Sequence, residues 1–245
     1  LQPVQFNFLG ELRDFQRAAV QGMLKHEFGT LQAPTGSGKT IIALHIIAER
    51  KQPSLVVVHT KELMHQWVDR IHTFLGIPKN EVGIIGDGKR TIGQRITVGI
   101  VNSIYPIAHE VKEHFGHVIV DEVHRCPSKT FTKAVSSFDS RYLLGLSATP
   151  WRRDGLTRLI FWHVGDKIHE VDRAALIDAG HVLEADVVMR ETSFTTVLNP
   201  SEHYSRVLSD LTRDPVRNNL IIEDVIREVR KGTGVCLVLT DRKSH

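Results

Sequence analysis

Ala33-Pro34-Thr35-Gly36-Ser37-Gly38-Lys39-Thr40 is the stretch that decides the fold of this chain. Its glycines let the backbone curl until N–H groups and the start of a following helix face an anion. Lys39 can then reach terminal phosphates, and Thr40 can ligate magnesium. The first position is Ala where the general pattern has Gly, yet Gly36 and Gly38 preserve the turn. The flanks supply the context that this chemistry needs. Residues 29–32 read as a brief strand, and Ile41, Ile42, Leu44, Ile46 and Ile47 line a largely buried helix.

Working outward, short β-branched runs alternate with segments of helical period. Upstream, Leu12, Phe15, Ala19, Val20 and Met23 form a helical stripe over 11–25. Downstream, 55–59 predicts a strand, and 61–75 an amphipathic helix with Leu63, Met64, Trp67, Ile71, Phe74 and Leu75 on one face. Strands follow at 82–85 and 96–101, separated by a hairpin-like excursion at Gly86-Asp87-Gly88-Lys89-Arg90. The apolar runs 118–120 and 142–146 flow straight into polar residues. This alternation predicts an α/β protein with a parallel sheet and helices on both faces, its function at the C-terminal ends of the strands.

Two of those ends carry chemistry. Asp121-Glu122-Val123-His124 follows the run 118–120. A carboxylate there can hold magnesium while its neighbour orients a water, which makes Asp121 the metal-side residue and Glu122 the base. An exposed turn is the plainer account of such a pair taken alone. Ser147-Ala148-Thr149-Pro150 closes the run 142–146. Its hydroxyls can bond to the 121–124 group or simply satisfy backbone at a strand-end turn.

Composition narrows the class. The 245 residues include 31 Lys+Arg and 28 Asp+Glu, for a formal net charge of +3, and 41% are hydrophobic, which excludes disorder as the main state. A sequence pI of 8.9 does not oppose a polyanionic partner. No run approaches the roughly 20 apolar residues of a membrane span. Residues 1–10 lack the pattern of a secretion signal. Cys126 and Cys236 fit no metal or disulfide framework and read as plain buried thiols, which suits a cytoplasmic location. The 14 His show no zinc spacing, and Trp67, Trp151 and Trp162 read as packing residues. Beyond Pro150 the pattern changes, with a linker near Gly165. Helices are predicted at 173–179, 202–210 and 216–231, a strand-like stretch at 182–189 and a buried strand at 235–239.

The segments 33–40, 121–124 and 147–150 together resemble motifs I, II and III of the superfamily 2 helicase core. Leu12-Arg13-Asp14-Phe15-Gln16 is similar to the family element whose Gln recognises adenine, so the resemblance places Gln16 and Arg13 at ATP with Thr35, Gly36, Ser37, Gly38, Lys39 and Thr40. It makes Lys39, Asp121, Glu122 and His124 catalytic, Thr40 and Asp121 the magnesium ligands, and Ser147, Ala148 and Thr149 the coupling group. Thr60-Lys61-Glu62-Leu63 with Gln66 looks like motif Ia, and Val101-Asn102-Ser103 like the next strand-contacting motif. This implies that Thr60, Lys61, Gln66, Asn102 and Ser103 touch nucleic-acid backbone. A solvated helix face is the alternative for Lys61 and Gln66. Residues 237–242 look like motif IV, the first of a second RecA-like domain.

The wording Asp121 to Pro127 and the excursion at 86–90 look most like the XPB-like and type III restriction-subunit branch, which implies duplex DNA more than RNA. The resemblance thus implies a RecA-like ATP-binding domain over 1–165 and a truncated second RecA-like domain over 166–245. Motifs V and VI, with their arginine fingers, would lie in the missing C-terminal part, so slow or absent hydrolysis is expected of this chain alone. The expected function is that of an ATP-dependent DNA helicase or translocase. A nucleotide-gated nucleic-acid-binding module without motor activity is the alternative. A P-loop switch or kinase is disfavoured by Gln16 and by the pairing of 121–124 with 147–150.

Overall fold

The computed structural model describes residues 1–125, 129–148, 162–183, 186–232 and 234–239. The chain divides into two units, Leu1–Glu184 and Ala185–His245. In the first, eight strands form one sheet: β1 (Phe28–Gln32), β2 (Ser54–Val58), β3 (Gly83–Gly86), β4 (Lys89–Arg90), β5 (Ile96–Ile100), β6 (His117–Val120), β7 (Tyr142–Ser147) and β8 (Lys167–Glu170). Their spatial order is β4-β3-β5-β2-β6-β7-β1-β8. The pairings are parallel except that of β3 with β4, the antiparallel hairpin expected at 86–90.

The central strands are mostly apolar because both of their faces are covered. Along β2, Val56 and Val58 enter one core with Ile119, Leu144 and Leu146, whereas Leu55 and Val57 enter the other with Val118, Val120 and Leu143. The first core is closed by α1 (Asp14–Leu24), α2 (Lys39–Arg50) and α3 (Lys61–Leu75). The second is closed by α4 (Val101–Ile104), α5 (Ala108–Val111) and α6 (Lys129–Ser136). The helix α3 starts where Thr60 Oγ1 accepts the Leu63 N–H at 3.3 Å and stops at Gly76, whose φ of 63° is left-handed. Such a cap contributes about 1 kcal/mol.

Five expectations need correction. The linker near Gly165 lies inside the first unit, because β8 pairs in parallel with β1 and α7 (Arg173–Asp178) follows directly. The boundary falls at Glu184/Ala185. Residues 182–183 and 186–189 form no strand, and neither does 235–239. A parallel strand needs hydrogen-bonded neighbours, and the described part of the second unit offers only α8 (Pro200–Arg213) and α9 (Pro215–Lys231). Cys236 is accordingly exposed, as is Trp162, so neither packs in a core. Cys126, Thr149, Pro150, Trp151, Arg152, Arg153 and residues 240–242 lie outside the described residues. Among the described residues no helix is long and apolar enough to cross a membrane.

At the N-terminal end of the sheet, Arg50 closes a buried polar cluster. Its Nη1 donates to His117 Nε2 at 2.9 Å and its Nη2 to the His26 carbonyl at 2.7 Å, while its guanidinium lies 4.5 Å from the Tyr142 ring centroid. Burial pulls the Arg50 pKa down to about 10, which leaves it charged at neutral pH. Burial, reinforced by Arg50, holds the His117 pKa well below 6.5. The unfolded chain protonates this imidazole and the folded chain does not, so its contribution to stability is whole above that pH and is lost as pH falls toward the folded pKa. Urea midpoints should therefore fall between pH about 7 and about 5. His117→Gln should flatten part of that fall, and an identical slope in the variant would contradict this assignment.

Candidate functional site

The loop 33–40 joins β1 to α2. Its curl rests on two left-handed glycines, Gly36 at φ 84° and Gly38 at φ 83°, the latter capping α2. Nothing lies within 4 Å of where a Cβ on Gly36 would stand, so the loop's outer surface is open. Ser37 Oγ donates to the Pro34 carbonyl at 2.7 Å, and Lys39 Nζ bridges the carbonyls of Ala33 at 3.0 Å and Pro34 at 3.3 Å. Burial lowers the Lys39 pKa, while Glu122 and Asp121, in that order, pull it back up. The ammonium thus lies in the field of both carboxylates.

Gln16 is 4% exposed and locked from both ends. Its Nε2 donates to the Ser37 carbonyl at 2.9 Å and its Oε1 accepts the Arg13 N–H at 2.9 Å. It therefore braces the loop from α1. Arg13 and Thr35 are exposed, and Thr40 is half-buried in the first turn of α2.

Across the sheet, β7 separates β1 from β6, so Ser147 lies between the loop and the carboxylates. Asp121 is 7% exposed; its Oδ1 accepts the Glu122 N–H at 2.9 Å and its Oδ2 the Trp67 indole N–H at 2.8 Å. A carboxylate has about four lone-pair sites, so acceptor capacity remains for a cation. Glu122 has a φ of 51°, a left-handed conformation that costs a non-glycine residue on the order of 1 kcal/mol or more. His124 Nδ1 lies 3.2 Å from Glu122 Oε2 and 3.0 Å from Ser147 Oγ, which joins 121–124 to β7 as expected. Ala148 follows Ser147 in the described chain, and Thr149 lies outside it. An open glycine loop at a helix start, an ammonium, a hydroxyl in the first helical turn and a carboxylate with spare lone pairs together fit a magnesium-bound phosphate chain.

The candidate nucleic-acid residues are less closely gathered. Thr60 caps α3, Gln66 is exposed, and Asn102 and Ser103 stand in α4 just past β5. Lys61 is already partnered: its Nζ lies 2.6 Å from Asp87 Oδ1 at the tip of the β3–β4 hairpin, and His65 Nε2 lies 3.8 Å from Asp87 Oδ2. The bond to Lys61 is the main reason the Asp87 pKa is lowered. Trp67 and Asp87 are the two residues that reading the sequence missed. A Trp among the core positions of an amphipathic helix signals a polar atom in need of a partner, whereas nothing local pairs Asp87 with Lys61.

Residues 9–152 match the family model described as "Type III restriction enzyme, res subunit". The chain belongs to this family. It carries part of a superfamily 2 helicase core. The DNA 3'-5' translocase XPB2 of Sulfurisphaera tokodaii is 43% identical over 145 residues, 59% of this chain and 32% of that protein. A relative in Acanthamoeba polyphaga mimivirus, provisionally named an ATP-dependent RNA helicase, is 34% identical over 174 residues, 68% of this chain and 33% of that protein. The chain thus spans about a third of these relatives' length. Among solved structures, the Sulfolobus solfataricus SWI2/SNF2 ATPase core in complex with dsDNA superposes with a TM-score of 0.55 at 21% identity, covering 67% of this chain and 37% of that one, and shares the RecA-like fold.

The bracing of the loop can be tested directly. A Cβ on Gly38 would lie 2.5 Å from Gln16 Nε2 at a backbone angle that L-residues avoid, so Gly38→Ala must strain the loop and dislodge Gln16. The expected loss is about 1–3 kcal/mol in urea unfolding. A stability equal to that of the unsubstituted chain would show the brace to be dispensable.

Proposed function

We propose that this chain binds ATP with magnesium and grips the phosphate backbone of nucleic acid, duplex DNA above all, as the ATP-handling part of a helicase or translocase. The observation that carries this reading is the apposition, at the C-terminal ends of β1, β7 and β6, of the loop 33–40 with Asp121, Glu122, His124 and Ser147. In it, Lys39 and the loop N–H groups bind the phosphates, Gln16 with Arg13 and Thr35 lines the nucleotide side, and Thr40 and Asp121 hold the metal. Bound magnesium would neutralise charge on the phosphate oxygens. Glu122 serves as the base that takes the proton of the attacking water. His124 keeps the Glu122 carboxylate in register with Ser147, which would pass the state of the site along β7 with Ala148 and Thr149.

Duplex DNA is favoured over RNA by the identity to a DNA translocase, the highest of the relatives described. Thr60, Lys61, Gln66, Asn102 and Ser103 supply donors of the kind that bind sugar and phosphate without reading sequence. The unit 185–245, with α8 and α9 ahead of 237–242, reads as the start of a second RecA-like domain.

Two measurements test this function. A fluorescent ATP analogue should bind in the presence of magnesium, and Lys39→Ala should weaken it by about tenfold or more, the equivalent of one charge-assisted bond. Equal binding by the variant would refute the phosphate role. For DNA, Asp87 competes with backbone phosphate for Lys61, so Asp87→Asn should tighten duplex binding and Lys61→Ala should weaken it with a shallower salt dependence. If neither variant changes duplex affinity, the first turn of α3 is a solvated face.

A further inference from the structure

Trp67 is 2% exposed within the buried face of α3, whose other core residues are Met64, Val68, Ile71 and Leu75. An indole N–H taken into such a layer must find an acceptor. It finds neither a backbone carbonyl nor a neighbour on its own helix. Its Nε1 instead donates, at 2.8 Å, to Oδ2 of Asp121, 54 residues away at the end of β6. The second carboxylate oxygen is held by the Glu122 N–H at 2.9 Å. One bond to each oxygen fixes the plane of the carboxylate as well as its position, and among the described residues only the Trp67 bond comes from outside the 121–122 turn.

We propose that Trp67 is a positioning residue for the metal-side carboxylate, holding Asp121 in the orientation in which it meets the magnesium of a bound nucleotide. The role rests on the nucleotide-site reading above. Indole suits it chemically: it donates one hydrogen bond, carries no charge to compete with the cation, and has no accessible titration that would release the carboxylate near neutral pH. Packing sets the direction of the donor, because the ring is enclosed by the core and cannot turn to follow a carboxylate that swings away. Residues that orient a metal ligand in this way typically change metal affinity by 10- to 100-fold when lost.

The test uses the full 245-residue chain and the anisotropy of N-methylanthraniloyl-ADP, titrated with magnesium at fixed nucleotide. Trp67→Phe keeps an aromatic ring and deletes the donor. Incorporation of benzothienylalanine at position 67 keeps the bicyclic shape as well, with sulfur in place of the N–H. In both variants the magnesium midpoint should rise by about tenfold, while affinity measured in EDTA stays at the wild-type value. In an Asp121→Asn background the substitution at 67 should have no further effect on that midpoint.

A merely structural Trp67 would lower the thermal midpoint and leave the magnesium midpoint where it was. A wild-type magnesium midpoint in the benzothienylalanine chain overturns the proposal, whether or not Trp67→Phe folds. Failure of the underlying reading looks different. If the wild type binds the nucleotide no better than Lys39→Ala, or binds it without regard to magnesium, the nucleotide site itself is refuted and the positioning role goes with it.

Discussion

Everything at the site depends on the register of β7 between β1 and β6. Ser147 pairs with Gln32 on one side, Gly145 pairs with Val120 on the other, and the Ala33 N–H continues the ladder into the loop 33–40 by donating to the Ser147 carbonyl at 2.9 Å. Because side chains alternate across a strand, a slip of one residue would turn Ser147 to the other face and break its contact with His124. Gly145 helps to hold the register. A Cβ there would lie 2.8 Å from Val164 Cγ1 and 3.0 Å from Thr30 Oγ1, so a larger residue would push β7 off its neighbours.

The two ends of this sheet solve the same problem differently. Both bury polar groups, which is costly without partners. At the N-terminal end Arg50 has its guanidinium against the Tyr142 ring and bonded to His117 and a carbonyl, an arrangement that serves stability. At the C-terminal end Asp121 accepts one bond on each carboxylate oxygen, Lys39 donates to two loop carbonyls, Ser147 meets His124, and the space outside Gly36 is open. A ligand can use that remaining capacity, and burial around it keeps the electrostatic interactions strong.

What could be read from the sequence follows how local each constraint is. The loop 33–40 was legible because its left-handed turns call for glycine at particular offsets, and α3 because its stripe, its Thr60 cap and its Gly76 stop lie within one segment. The strands β2, β6 and β7 announced themselves as apolar runs covered on both sides. Contacts between distant segments were not legible. The Trp67 bond to Asp121 and the Lys61 pair with Asp87 join residues whose types fit many partners. β8 is short, polar and half-exposed, so nothing in Lys167–Glu170 marks it as the eighth strand of the first sheet. The opposite error arose at 235–239, where an apolar run suggested a strand although the described residues around it provide no sheet to join.

The central claim is that the C-terminal ends of β1, β7 and β6 gather the loop 33–40 and the 121–124 turn into a single proposed site for magnesium and nucleotide. Amide hydrogen exchange with and without Mg-ATP tests it most directly, since backbone N–H groups are the proposed ligands. The account predicts slowed exchange confined to residues 35–41 and 121–124, with no such change when magnesium is chelated. Protection elsewhere with these two segments unchanged would contradict it.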